Sequence, residues 1–168
     1  YRPELSLVVS LTTRDARESD LPGEYQCNTP PRVFESKREF LWVTSAHGNT
    51  YGTLKKPVSD ALVKSAPSIM MLVPWVVEML RKYVGSKSKG SVLSFYISSP
   101  SEDALRERLS ARGEDATVLQ QRILDCKRWE EEARTSRLPY IFVSNEQTDP
   151  PGLGVAKVAK EISAYLGR

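Results

Sequence analysis

Arg14 and Arg17 stand three residues apart, shortly after the apolar run Leu5–Ser10 (LSLVVS). Two guanidinium groups so spaced after a strand can converge on one phosphate through charge-assisted, bidentate hydrogen bonds. The competing arrangement is local, because Asp15, Glu18 and Asp20 could neutralise the same arginines. Other chemistry-bearing residues are sparse. Cys27 and Cys126 form no CxxC unit, so neither a zinc site nor a disulfide framework is expected, and both read as small apolar fillers. His47, the sole histidine, precedes the glycine of a turn and reads as a turn position rather than a chemical one. The sequence contains no GxxxxGK[ST] stretch, the loop whose backbone cradles nucleotide phosphates.

The elements that would position these residues alternate in type. Leu5–Ser10, Ser68–Val73, Val92–Ser98 and Tyr140–Val143 read as strands of one parallel sheet, with shorter strands at Tyr25–Thr29 and Phe40–Ser45. Helices are expected from Pro30-Pro31 through Lys37, over Lys56–Lys64 and Trp75–Tyr83, from Pro100-Ser101 to Arg112, and over Thr117–Ser136 and Val155–Leu166. Gly48 reads as a turn and Gly85–Gly90 as a polar loop. Strands alternating with helices imply an α/β fold with a parallel sheet. The 168 residues, 40% hydrophobic and 27% charged, suit one domain with a buried core. A net charge of +3 is too small to argue for nucleic acid by itself. The longest apolar run, Ile69–Val77, is broken by Pro74 and too short to span a bilayer. With no leader visible, an intracellular site is expected, either cytoplasm or an organelle lumen such as the mitochondrial one. The chain opens on Tyr1 rather than Met and reads as a trimmed piece.

Three segments together resemble the guanylate kinase family: VVSLTTRDAR (Val8–Arg17), HGNTYGT (His47–Thr53) and SPSEDALRERLSARGED (Ser99–Asp115). Their order and spacing cover nearly the whole chain. The resemblance implies a P-loop nucleotide-kinase fold: a parallel sheet with flanking helices, a small monophosphate-binding subdomain over residues 11–54, and a lid over residues 112–122. By the same resemblance Ser10, Arg14, Arg17, Tyr25 and Tyr51 hold the acceptor's phosphate and Thr53 lies near its base. Arg108, Arg112 and Arg122 match the lid arginines that bridge donor and acceptor phosphates. Arg106, Arg128 and Arg134 read instead as solvated surface.

The departures from that pattern set the functional expectation. Trp42 stands where the family has its guanine-reading glutamate, and Met71 and Val73 stand for its two strand-end aspartates. Trp42 and Trp75 read as core aromatics. Phosphate-holding residues kept beside lost carboxylates point to a non-catalytic domain needing no cofactor. Such a domain would serve as a structural or protein-interaction subunit, binding a protein partner or a phosphorylated or acidic ligand, without a membrane. One alternative is an active GMP kinase using ATP and Mg²⁺, its P-loop outside these residues. Another is a packed subunit of a ribonucleoprotein, its arginines on RNA.

Overall fold

In the computed structural model the described residues are 5–18, 20, 22–64, 66–87, 91–111, 113, 115–145 and 153–166. The chain divides into two compact units, residues 1–92 and 93–168.

In the first unit, apolar Leu7 and Ile69 pair two short parallel strands, β1 (Ser6–Leu7) and β6 (Ser68–Ile69). The chain then leaves that ladder at once. Ser10–Thr12 (β2) belongs to a second sheet with β3 (Tyr25–Gln26), β4 (Phe40–Ala46) and β5 (Asn49–Leu54), in the order β3-β2-β5-β4. The expected single strand Leu5–Ser10 is therefore split between two sheets. β4 and β5 form a hairpin whose two-residue loop, His47 and Gly48, has φ of 50° and 76°. Two successive positive φ values define the primed turn that matches strand twist, and Gly at the second position makes it accessible.

Pro31–Glu35 forms a short 3₁₀ helix, Lys55–Leu62 the helix α1, and Pro74–Lys87 the helix α2. Pro74 serves α2 as its first residue, where a missing N–H costs nothing. The expected strand Ser68–Val73 is paired only over Ser68–Ile69, opposite Ser6 and Leu7. Val76, Leu80 and Val84 recur every four residues along α2 and share a core with Val8, Leu41, Trp42 and Val58. On the other face of the four-stranded sheet, Leu11, Phe34 and Phe40 form a separate cluster.

The second unit pairs β7 (Ser94–Ile97) in parallel with β8 (Tyr140–Val143). The four strands expected in one sheet thus form two parallel ladders, one in each unit. Helix α3 (Glu102–Ala111) carries Glu102 and Asp103 in its first turn, where acidic groups favour the helix dipole, and Gly113 follows it at φ 75°. Helix α4 (Ala116–Thr135) is capped by Asp115, whose carboxylate accepts the N–H groups of Thr117 and Val118 at 2.8 and 3.0 Å. Leu109 of α3 packs with Leu119 and Ile123 of α4. Leu153–Leu166 forms the last helix, α5. The class is α/β, with parallel ladders and flanking helices. No helix among the described residues is long and apolar enough to cross a membrane.

Candidate functional site

Directly paired residues in a sheet point to the same face. Ser10 pairs with Tyr25, and Trp42 pairs with Thr53. The Ser10 and Thr53 hydroxyls meet at 2.7 Å, which closes a transverse row Tyr25–Ser10–Thr53–Trp42 across all four strands. Three strand spacings of about 4.8 Å put its ends about 14 Å apart. The next row on this face holds Thr12, Tyr51 and Thr44. Tyr25 and Tyr51 contact edge to face with centroids 6.1 Å apart, and Trp75 donates its Nε1–H to Thr44 Oγ1 at 2.8 Å. Ser10, Thr12 and Thr53 are buried. Hydroxyls are rarely buried so closely together unless they are paired with one another or with a ligand. Four of the expected phosphate or base residues, Ser10, Tyr25, Tyr51 and Thr53, thus lie on one face.

Arg14 closes the Tyr25 end. Its backbone N–H donates to Thr12 Oγ1 at 3.1 Å, and its guanidinium carbon lies 5.4 Å from the Tyr25 ring centroid. The fork binds Asp20 twice, Nη1 to Oδ2 at 3.0 Å and Nη2 to Oδ1 at 2.9 Å, and Nη1 also donates to the Asp15 carbonyl at 2.7 Å. The local acid is therefore Arg14's partner. Three of the five guanidinium donors are used in this way. Asp20 also accepts the Arg17 backbone N–H at 2.7 Å and lies 3.7 Å from Cys27 Sγ. The hydrogen bonds from Arg14, then from the Arg17 backbone, hold its carboxyl at a pKa of about 2. Arg14 is shifted upward by the same Asp20 contact, and burial raises the Tyr25 hydroxyl and the Cys27 thiol. Arg17 itself is exposed beside this cluster.

The opposite end differs chemically. Trp42 is only 4% exposed, packs with Val58, Val76 and Leu80, and has a buried indole N–H with no hydrogen-bond partner. An unmade bond of this kind costs about 1–3 kcal/mol. Trp42 is the core aromatic expected from sequence. Trp75 is not, being 40% exposed. Met71 is also exposed, whereas Val73 packs against the core at its margin.

The lid arginines belong to the second unit, Arg108 on α3 and Arg122 on α4, both half-buried; Arg112 lies outside the described residues. Glu102 joins the two helices by accepting from Lys127 at 2.7 Å and from Arg106 at 2.7 Å, and these contacts, Lys127 first, lower its pKa. Arg134 is not simply solvated: its guanidinium carbon lies 4.6 Å from the Phe142 centroid. No cluster of three or more His, Cys, Asp or Glu occurs among the described residues. Sequence reasoning missed Thr12 and Thr44. Thr12 was signalled by the alternation Ser10, Thr12, Arg14 and by its place in the segment Val8–Arg17, and nothing in the sequence marks Thr44.

No family model matches the chain. It is 34% identical over 128 residues to a guanylate kinase of Agrobacterium fabrum, covering 73% of this chain and 56% of that protein. A guanylate kinase of Rhizobium meliloti is 31% identical over 152 residues, covering 86% and 65%. The chain therefore spans between about half and two thirds of the length of these relatives. A crystal structure of guanylate kinase from Anaplasma phagocytophilum superimposes with a TM-score of 0.66 at 22% identity, over 97% of this chain and 74% of that one. This likeness bears out the expected P-loop-kinase-like fold. The relatives, named as kinases, overturn the expectation of a non-catalytic structural or interaction domain. The expectation that no cofactor is needed falls with it, since a kinase requires a phosphoryl donor.

Proposed function

We infer that this chain, a homologue of the guanylate kinases, carries the acceptor-binding part of an ATP-dependent nucleoside monophosphate kinase acting on GMP. The observation that carries the reading is the face described above, where Ser10, Tyr25, Tyr51 and Thr53 line up with Arg14 at one end. Such a face holds a phosphate monoester by a cation and hydroxyl donors, and orients it for attack on a donor phosphate. Phosphoryl transfer depends chiefly on positioning and charge neutralisation, so residues of this kind suffice at the acceptor end.

Bound ATP with Mg²⁺ supplies the transferable phosphoryl group and the neutralising metal charge. Arg108 and Arg122 are cations suited to polyphosphate. Arg14 and Arg17 would hold the acceptor phosphate, with Asp20 keeping the Arg14 fork planar and oriented. Residues 11–54 serve in this reading as the monophosphate-binding subdomain and residues 112–122 as the lid.

A coupled assay with ATP, Mg²⁺ and GMP, on the protein expressed from its whole reading frame, tests the reading. Turnover in the range of about 1–100 per second is expected. Absence of ADP formation from GMP and from every other nucleoside monophosphate would refute it.

A further inference from the structure

Glu102, in the first turn of α3, ties that helix to α4 through both carboxylate oxygens. Oε2 accepts from Lys127 Nζ at 2.7 Å, across 25 positions of sequence. Oε1 accepts from Arg106 Nη2 at 2.7 Å and Nε at 3.2 Å, and Arg106 Nη2 reaches on to Gln120 Oε1 of α4 at 3.2 Å. The network therefore crosses between the helices twice. Along α3 the crossing positions rise from 102 to 106, while their partners along α4 fall from 127 to 120, as in an antiparallel pair. Glu130 of α4 also accepts the Ser99 backbone N–H at 3.4 Å, just before α3 begins. Leu109, Leu119 and Ile123 supply the apolar contact between the two helices, with Leu105 beside them. Apolar contact holds helices together without direction, so it leaves one free to slide or roll on the other. Charge-assisted hydrogen bonds add the geometric constraint. Arg108 lies two positions beyond Arg106, and Arg122 lies between Gln120 and Lys127, so both are carried on the braced stretch.

We propose that Glu102 is a positioning residue for phosphoryl transfer, locking α3 to α4 in one register and so fixing Arg108 and Arg122 relative to each other. The proposal rests on the kinase reading above, in which both arginines meet polyphosphate. Two cations on one polyphosphate must keep a set separation, since a misplacement of about 1 Å costs up to about a hundredfold in rate. The side chains of Glu102, Arg106 and Lys127 are 39%, 43% and 65% exposed. Ion pairs so exposed contribute little to stability. Their role here is to set the register of a helix pair that the leucines already hold together. Loss of the brace consequently shows in rate far more than in melting.

Steady-state kinetics with ATP, Mg²⁺ and GMP, on the protein expressed from its whole reading frame, test this. Glu102→Gln and Lys127→Met should each lower kcat by about three- to tenfold, with the KM for GMP within about twofold of the unaltered value. Lys127→Met keeps Glu102 in the first turn of α3, so a matching loss there does not come from the helix dipole. The double variant should lose no more than either single one, because both remove the same contact. Lys127→Arg, which keeps a cation at the end of a long side chain, should retain about half or more of the unaltered kcat. Melting temperatures should stay within about 4 °C of the unaltered protein. If Glu102→Gln fails to fold, Lys127→Met and Lys127→Arg decide. Unchanged kcat in the single variants, additive losses in the double, or a raised KM for GMP at unchanged kcat overturns the proposal. So does a melting temperature lowered by more than about 8 °C in Lys127→Met, which makes the contact merely structural. In each of those cases turnover by the unaltered protein leaves the kinase reading standing. An unaltered protein without turnover removes that reading and the proposal with it.

Discussion

Gly52→Ala probes how the apolar side of the four-stranded sheet fixes the polar side. A Cβ built at Gly52 would lie 2.8 Å from both Cδ1 and Cε1 of Phe40 and 3.1 Å from the Trp42 carbonyl oxygen. Carbon atoms do not approach so closely, so the Phe40 ring or the β4 backbone must move. The ring is 4% exposed and lies 5.5 Å from the Phe34 ring, so it has little room to retreat. Overpacking of this sort costs about 1–3 kcal/mol. Against it, removing a glycine from the unfolded chain contributes about 0.4–1 kcal/mol of stability where the backbone permits. The net expectation is a loss of about 1–2 kcal/mol, which lowers Tm by about 2–8 °C for a chain of this size. Chemical denaturation of Gly52→Ala, Phe40→Leu and the double variant separates the clash from a general backbone effect. Leucine at position 40 frees space beside Gly52, so the alanine should cost at least about 1 kcal/mol less in that background. An equal cost in both backgrounds, or a more stable single variant, would refute the steric account of this glycine.

Arg14→Ala should weaken GMP binding by about 1.5–3 kcal/mol in a direct titration, since a charge-assisted contact is lost; unchanged affinity would remove Arg14 from the site. Asp20 has a folded-state pKa of about 2, below the ordinary 3.8, so its contribution to stability is present above pH about 4 and disappears as pH falls through about 2. Acid denaturation curves of the unaltered chain and Asp20→Asn should therefore differ above pH about 4 and converge by pH about 2. Asp115→Ala should destabilise the start of α4 by about 1 kcal/mol, read as faster hydrogen exchange at Thr117 and Val118, whose N–H groups lose their acceptor.

The parts of the fold that were legible are those written in apolar periodicity. Val76, Leu80 and Val84 mark α2, and the acidic first turn with Gly113 brackets α3. β5 was not legible, because NTYGTL turns hydroxyls and an aromatic toward the site face and offers no apolar alternation. The break between β1 and β2 also escaped, since LSLVVS is uniformly strand-like and only tertiary pairing sends Ser6 to β6 and Ser10 to Tyr25. At the site, Ser10, Tyr51 and Thr53 were recoverable because each falls in a motif of fixed spacing, whereas Tyr25 lies in none of the three segments. Asp20 was visible as a rival partner for Arg14, and the structure makes it the actual one. Trp42 was readable as core from its apolar neighbours, but an unpaired N–H is a property of packing and leaves no trace in sequence.

In the proposed reading the absence of a carboxylate at position 42 does not entail losing phosphoryl transfer, and the geometry of this face is the reason. The phosphate is held, in that reading, at the Arg14 end of the row, about 14 Å by strand spacing from the Trp42 end. Arg14, its Asp20 brace and the Tyr25–Tyr51 pair are built from β2, β3, β5 and the turn after β2, without any contribution from residue 42. The transition state of phosphoryl transfer develops its charge at the phosphate end, and binding energy from the base contributes to rate only by holding the acceptor in place. In that reading an indole in place of a carboxylate at position 42 leaves Arg14, Asp20, Tyr25 and Tyr51 in their observed arrangement. Selectivity and catalysis can, in that reading, diverge on this scaffold.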